Sequence, residues 1–198
     1  MVKYMENYII NNFDEKIAKF ICENTDDQLT KLKENCMEES KNRRGNLFKS
    51  IFPAIALYRV LQIQMSREEA FEHMKKMISD NTKKNSRKVY ERMGKLPFFF
   101  SLFRKMFTMG LKGDSWDVEW VENNKSNFEY NIKGCLWNDA FKRYDCHELC
   151  ALFCNNDEIN FTNVSPKMHF ERKYALGYGD HMCDFHFYAM KKNKTASK

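Results

Sequence analysis

The chain has 198 residues, of which 43% are hydrophobic and 15% aromatic, which is enough apolar surface for a buried core and argues against a disordered chain. This length predicts a single domain over residues 1–198 rather than a fibre or a tandem array. The 33 basic and 27 acidic residues give a net charge of +6 but are interspersed and accompany no nucleic-acid-binding motif, so we expect a mixed solvated surface and no nucleic-acid partner.

Helices are predicted over residues 1–112. Only 7 glycines and 3 prolines occur, which disfavours a fold of many short strands and turns. Apolar residues at helical spacing predict one amphipathic helix at the start and a second after Thr25. A third is predicted over residues 47–65, after a polar break at 42–46. Pro53 either begins the regular part of that third helix or kinks it.

The next two helices carry recognisable end signals. Ser66 and Glu69 form the Ser-x-x-Glu capping-box pattern, which predicts that a helix begins there. Pro97 stands where a first-turn proline belongs and Gly110 where a helix-ending glycine belongs. The very apolar segment Phe98–Met109 between them is therefore predicted to be a helix. Its surface fits either the core or a site that docks a partner protein.

Over the later part of the chain, 113–190, the hydrophobic period falls from about 3.6 residues to about 2, which predicts a sheet. Two hairpins, at 116–132 and 168–187, flank a helical segment at 136–155. The predicted fold class is α+β, with N-terminal helices packed on a small C-terminal antiparallel sheet. A disordered basic tail is expected at 191–198.

The start of the chain has no secretory-signal pattern, and no apolar run approaches the ~18 residues that span a bilayer. We therefore expect a cytoplasmic protein with no membrane partner. In that compartment the 7 cysteines are expected to be thiols rather than disulfides. Most of them crowd the last third of the chain: Cys135, Cys146, Cys150, Cys154 and Cys183.

A cation and a thiol are predicted to share the inner face of the second hairpin. Strand periodicity directs Arg172 inward beside Tyr174, and a four-residue loop would place Tyr174 opposite Cys183. A nearby cation lowers the pKa of a thiol, which favours nucleophilic attack. The alternatives are a cysteine that only packs and an arginine that pairs with a structural carboxylate such as Asp157 or Asp184.

Cys146, Cys150 and Cys154 recur every four residues along one face of the predicted helix. They fit a buried core, whereas a metal site more often shows Cys-x-x-Cys pairs, so a structural metal is not favoured and no cofactor is predicted. Cys135 lies at a strand end, where side chains face a crevice. His181, at the hairpin tip, is either a proton carrier or a solvated loop histidine.

Several short sequence blocks, each present once, follow one another along the chain in an order that is recognisable as a set. They are Phe52-Pro53-Ala54-Ile55-Ala56-Leu57-Tyr58-Arg59, Ser66-Arg67-Glu68-Glu69-Ala70, Leu96-Pro97-Phe98-Phe99, Cys135, Glu148-Leu149-Cys150-Ala151-Leu152-Phe153-Cys154-Asn155-Asn156-Asp157, Phe170-Glu171-Arg172 and Gly179-Asp180-His181-Met182-Cys183-Asp184-Phe185. As a set they resemble the L-2-amino-thiazoline-4-carboxylic acid hydrolase family over about residues 50–190. The resemblance implies a hydrolase that opens a five-membered aminothiazoline carboxylate at a cyclic carbon–nitrogen bond, toward a carbamoyl-cysteine.

We predict catalytic roles for Cys183, Cys154, Asp157 and His181, and substrate contacts for Arg172, Tyr174 and Cys135. Arg172 is expected to hold a small-molecule carboxylate substrate through a bidentate pair while a thiol attacks the amidine-like carbon. A mechanism in which a carboxylate activates water and the thiols only shape the pocket stays open. So does a different class of function, a non-enzymatic small-molecule binding or sensing domain whose cysteines pack or hold a metal.

Overall fold

The computed structural model describes residues 1–36 and 38–190, and the predicted basic tail at 191–198 lies outside them. Within the described residues the fold is α+β, as predicted, with nine α-helices and one four-stranded antiparallel sheet. The helices are α1 Lys3–Asn12, α2 Glu15–Glu34, α3 Lys41–Asn46, α4 Phe52–Gln64, α5 Arg67–Lys84, α6 Ser86–Gly94, α7 Phe99–Gly110, α8 Leu136–Arg143 and α9 Glu148–Phe161. The strands are β1 Trp116–Asn123, β2 Asn127–Cys135, β3 Met168–Glu171 and β4 Cys183–Ala189.

Two predicted boundaries near the start were wrong. The second helix begins after Asp14, whose carboxylate accepts the backbone N–H of Ile17, whereas Thr25 is buried inside that helix. The polar stretch at 42–46 is not a break either. It belongs to α3, which Ser40 caps through its side chain. A short π-helical turn, Leu47–Ile51, then leads into α4.

Two of the later helix signals were confirmed, whereas Pro97 precedes α7 and does not lie in its first turn. Pro53 lies in the first turn of α4, so it begins the regular helix and does not kink it. Ser66 and Glu69 form both hydrogen bonds of the capping box at the start of α5. The inner face of α7 carries Phe99 and Phe103 into the core and is fully buried. The alternative of a partner-docking surface on the outer face of α7 stays a prediction.

The sheet order is β1-β2-β4-β3, with β1 and β3 at the edges. Phe170 pairs with Phe187, the register that would place Tyr174 opposite Cys183, but β3 ends at Glu171 and the predicted four-residue hairpin loop is wrong. The hydrogen-bond ladder between β3 and β4 stops because carboxylate side chains accept the next backbone N–H groups. The Asp184 carboxylate accepts the backbone N–H groups of Lys173 and Tyr174, and Asp180 accepts that of Ala175.

Two hydrophobic cores share helix α9. The helical core joins α1, α2, α4, α5, α8 and the first turns of α9 through mostly aliphatic side chains. The aromatic core lies between α7, the end of α9 and one face of the sheet. Among the described residues, no helix combines the length and apolar character needed to cross a bilayer. The cores meet around Cys154, which packs against both.

Candidate active site at the junction of the two cores

A cavity of about 490 Å³ opens between α7, the sheet and α9. Most of its wall is aromatic or aliphatic, with side chains that include Tyr90, Phe107, Leu111, Trp116, Trp137 and Phe153. The indole rings of Trp116 and Trp137 stack 5.3 Å apart at an interplanar angle of 12°. The cavity therefore presents flat apolar surface with few polar groups, which is typical of a small-molecule site.

The structure brings most of the predicted site residues to this cavity. Cys135, Cys154, Asp157 and Cys183 line it, and Arg172 contacts Asp157 from behind the wall. Tyr174 and His181 do not belong to the described lining and instead pack against each other, with ring centroids 5.5 Å apart. Of the seven predicted site residues, five therefore cluster at or behind the cavity wall, and Tyr174 and His181 form a separate pair on the loop between β3 and β4.

Three potential hydrogen-bond donors surround the Cys154 sulfur: the thiols of Cys150 and Cys183 and the backbone N–H of Gly177. These donors, with the Arg172 guanidinium nearby, hold the pKa of the Cys154 thiol well below its ordinary value. The same contacts raise the pKa of Cys150 and that of Cys183, because each thiol must keep its proton to donate it. Of these thiols, Cys154 is the one whose surroundings favour ionisation.

Gly177 is required by the close approach of its loop to α9. A β-carbon at this position would lie 2.7 Å from the Cys154 sulfur and 2.9 Å from the carbonyl carbon of Cys150. Only glycine lets the backbone N–H reach the sulfur without a clash. On the same loop, Leu176 donates its backbone N–H to the Cys183 sulfur at 3.2 Å. The loop after β3 therefore packs its backbone against two of the thiols, Cys154 and Cys183.

Arg172 forms a buried ion pair beside the thiols, which is the structural-carboxylate alternative raised from the sequence. Its guanidinium lies 3.0 Å from Asp157 and 3.0 Å from Glu158, and it donates to the Cys154 carbonyl oxygen at 2.9 Å. It also lies over the ring of Phe185. Burial disfavours the charged guanidinium, but the two carboxylates outweigh that effect and raise the pKa of Arg172.

Asp157 faces the cavity three residues after Cys154, so both side chains lie on one face of α9. Burial raises the pKa of its carboxyl to about 7, although Arg172 acts in the opposite direction. A carboxyl with that pKa holds and releases a proton near neutral pH. A thiol and a carboxyl thus lie on one face of α9, with the pKa of Cys154 lowered and that of Asp157 raised.

The remaining thiols contribute less. Cys135 ends β2 at the cavity wall, and burial raises the pKa of its thiol to about 11, so it stays protonated. Cys146 precedes α9 and is buried in the helical core, so the predicted three-thiol stripe reduces to Cys150 and Cys154. Among the described residues, no group of three or more His, Cys, Asp or Glu side chains is placed to hold a metal ion.

The sequence profile of the L-2-amino-thiazoline-4-carboxylic acid hydrolase family matches residues 44–187 of this chain. The chain belongs to this family. No curated protein and no solved structure matches it. The region matched by the family profile contains α4–α9, the first three strands and most of β4, and therefore every residue of the thiol and Asp157 cluster.

Within the family region, a polar network missed from the sequence fixes α9. The Tyr58 hydroxyl donates to Glu148 at 2.7 Å, and Arg67 donates to the same carboxylate at 2.6 Å. Further along, Thr82 donates to Asn156 at 2.7 Å. These contacts tie the helix that carries the thiols to α4 and α5. They join residues more than 70 positions apart, and no local pattern reveals them.

Proposed function

We propose that this protein is a hydrolase that opens a cyclic amidine or thioimidate ring at a carbon–nitrogen bond, with Cys154 as the nucleophile and Asp157 as the proton carrier. The observation that carries the proposal is the placement of Cys154 and Asp157 together at the wall of an apolar cavity, with the backbone of Gly177 packed closely against the Cys154 sulfur. Membership of the aminothiazoline carboxylate hydrolase family supports the reaction class. The proposed chemistry needs no metal or redox cofactor, because a thiolate and a carboxyl supply the nucleophile and the proton.

In the first half of the reaction, the Cys154 thiolate adds to the amidine carbon. The electron pair of the ring carbon–nitrogen double bond moves to the ring nitrogen, which takes the proton of Asp157. A second proton from solvent then lets this nitrogen leave as an amine, while the lone pair of the exocyclic nitrogen forms a new double bond to the carbon. The enzyme now holds the opened substrate through a carbon–sulfur bond.

In the second half, water adds to the same carbon and the Asp157 carboxylate accepts its proton. The Cys154 thiolate departs, and the product returns the solvent proton. The thiols of Cys150 and Cys183 and the N–H of Gly177 stabilise the sulfur each time it carries negative charge. Arg172 acts as a positioning residue, since it binds Asp157 and the main chain of Cys154. His181 and Tyr174 pack against each other and are not among the described lining residues, so the proposed reaction gives neither of them a direct step.

The decisive experiment incubates the purified protein with 2-amino-thiazoline-4-carboxylate, and with its uncharged 4-amide, and detects a product one water heavier by mass spectrometry. Cys154→Ser should lower turnover by at least about 1,000-fold because a serine hydroxyl is not ionised at neutral pH. Cys22→Ser, on α2 and remote from the cavity, should leave turnover unchanged.

The variants also separate this proposal from a non-enzymatic binding domain. Ring opening that survives Cys154→Ser would remove the covalent mechanism and leave water activated by Asp157. If no ring compound is opened by the unmodified protein, the hydrolase proposal is wrong. The apolar cavity and its buried thiols would then favour the binding or sensing domain.

A further inference from the structure

The charge of the cavity wall limits what it can bind. None of the described lining residues is a lysine, arginine or histidine. The groups that can carry charge there are the Cys154 thiol, whose ionised form is stabilised, and the Asp157 carboxyl. Both are negative when ionised. A substrate carboxylate placed in this cavity would therefore meet like charge in an apolar environment, which is unfavourable.

Among the described residues, Arg172 is the cation that contacts Asp157 and the main chain of Cys154, and three of the five N–H donors of its guanidinium are already engaged. One terminal nitrogen binds Asp157 and the other binds Glu158 and the Cys154 carbonyl oxygen, each within 3.0 Å. The side chain is only 2% exposed. Because the guanidinium is enclosed, a substrate carboxylate would have to compete for it with the carboxylates of Asp157 and Glu158, which are 33% and 39% exposed.

The size and shape of the cavity point the same way. A volume of about 490 Å³ falls within the range of roughly 300–1,000 Å³ that is typical of sites for drug-sized ligands. A single five-membered ring with a carboxylate leaves most of that space unfilled. The stacked indoles of Trp116 and Trp137, with Leu111 beside them in the lining, form apolar surface suited to a second, aromatic group.

We propose that the substrate of this chain is a ring without a carboxylate, a neutral or cationic amidine or thioimidate that carries a bulky apolar or aromatic substituent. The reacting carbon lies against Cys154, the amidine nitrogens lie against Asp157, and the substituent packs on Trp116 and Trp137. This inference rests on the proposed hydrolase function for the reacting ring. The choice of substituent and charge rests on the cavity wall alone.

The test compares two ligands that share one ring, 2-amino-thiazoline-4-carboxylate and its N-benzyl carboxamide. Binding is measured by isothermal titration calorimetry, and ring opening is measured separately by mass spectrometry. The benzyl amide should bind at least about tenfold more tightly than the carboxylate. Equal or tighter binding of the carboxylate overturns the inference, and so does failure of both ligands to bind.

Three variants locate the binding. Trp137→Leu should weaken the benzyl amide about tenfold, whereas Trp120→Leu should leave its affinity unchanged, because Trp120 is not among the described lining residues. Leu111→Lys supplies a cation to the wall without removing a ring and should tighten the carboxylate about tenfold. If affinities in all three variants match the unmodified protein, the ligand binds elsewhere and the inference is wrong.

The two proposals fail in different ways. Preferred binding of the benzyl amide without ring opening of either compound contradicts the hydrolase function and leaves the ligand class intact. Ring opening of the carboxylate, together with its tighter binding, supports the hydrolase function and overturns the ligand class.

Discussion

The helical core and the aromatic core differ in chemistry, and the difference separates support from recognition. The helical core consists mostly of aliphatic side chains on helices, such as Ile55 and Leu57 of α4, both fully buried. The aromatic core consists largely of ring contacts, and its outer layer forms the cavity wall. Helix α9 belongs to both and carries the thiol cluster between them. In the proposed function, the helical half holds the reacting groups in place and the aromatic half selects the molecule that reaches them.

The largest expected effects break one core at a time. Phe103 contacts the rings of Phe107, Phe128, Phe161 and Phe187, so Phe103→Ala should lower the free energy of unfolding by about 3–5 kcal/mol. Ile55→Ala in the other core should cost about 2–5 kcal/mol. Urea unfolding followed by far-ultraviolet circular dichroism and by tryptophan fluorescence measures both.

The paired variants also test the predicted single domain. If residues 1–190 unfold as one cooperative unit, each variant shifts the transitions of both probes equally, since the tryptophans lie on β1 and α8 whereas the dichroism follows all helices. A shift of the dichroism transition alone in Ile55→Ala would divide the chain into two folding units. The shared helix α9 leads us to expect coincident transitions.

A change at Gly177 should have a smaller effect on the free energy of unfolding and should act mainly on the candidate active site. Gly177→Ala places a methyl group against the Cys154 sulfur, which should cost about 1–3 kcal/mol of stability. Displacement of the Gly177 N–H removes one donor from the thiolate, so kcat/KM should fall roughly 100-fold. The rate of Cys154 alkylation by iodoacetamide at pH 6 reports the thiolate without any substrate and should fall as well.

Gly45→Ala is the matched control, because a β-carbon there meets nothing within 4 Å in helix α3. It should raise stability by roughly 0.5–1 kcal/mol and leave the alkylation rate unchanged. If Gly177→Ala alkylates as fast as Gly45→Ala, the backbone of the loop contributes nothing to the thiolate.

Local patterns predicted the elements well because their causes are local. The Ser66 capping box and the first-turn Pro53 depend on residues within one helical turn, and both were confirmed. The observed pairing of Phe170 with Phe187 agrees with the register that a four-residue loop implied, and alternation correctly put both side chains on the inner face. The hairpin loop was not, since Asp184 and Asp180 bind backbone groups that the ladder would otherwise use.

The site shows the same division. Spacing along α9 places Cys150 and Cys154 on one face, and that relation is readable from the sequence. The sequence does not reveal which thiol ionises most readily. That depends on Gly177, Cys183 and Arg172, which lie far from α9 in sequence and contact it only in the fold. The stacking of Trp116 on Trp137 likewise joins β1 to α8 through the fold. Sequence reasoning therefore found the reactive groups more readily than the cavity that selects their ligand.

The dependence of kcat/KM on pH tests the proposed pairing of a thiolate with a protonated carboxyl, and it is expected to change gradually. The pKa of Cys154 lies well below its ordinary value and that of Asp157 is raised to about 7, so both groups are in the proposed state only below about pH 7. We expect kcat/KM to fall about tenfold for each pH unit above that value. In Asp157→Asn the amide has no proton to lose, so the rate should be lower and this descending limb absent. A limb that persists in the variant belongs to ionisation of the substrate and would remove Asp157 as the acid.

The same carboxyl should act on stability with a definite sign. In the unfolded chain Asp157 releases its proton near the ordinary pKa of about 3.9, whereas the folded protein keeps it up to about pH 7. Between these values the folded state binds more protons than the unfolded state, so the contribution of Asp157 to the free energy of unfolding falls as pH rises and is constant above pH 7. Asp157→Asn should remove this slope. Denaturant midpoints measured for the two proteins from about pH 4.5 to about pH 7.5 compare the slopes directly. Parallel curves would show that the carboxyl of Asp157 is already ionised at the lower end of that range.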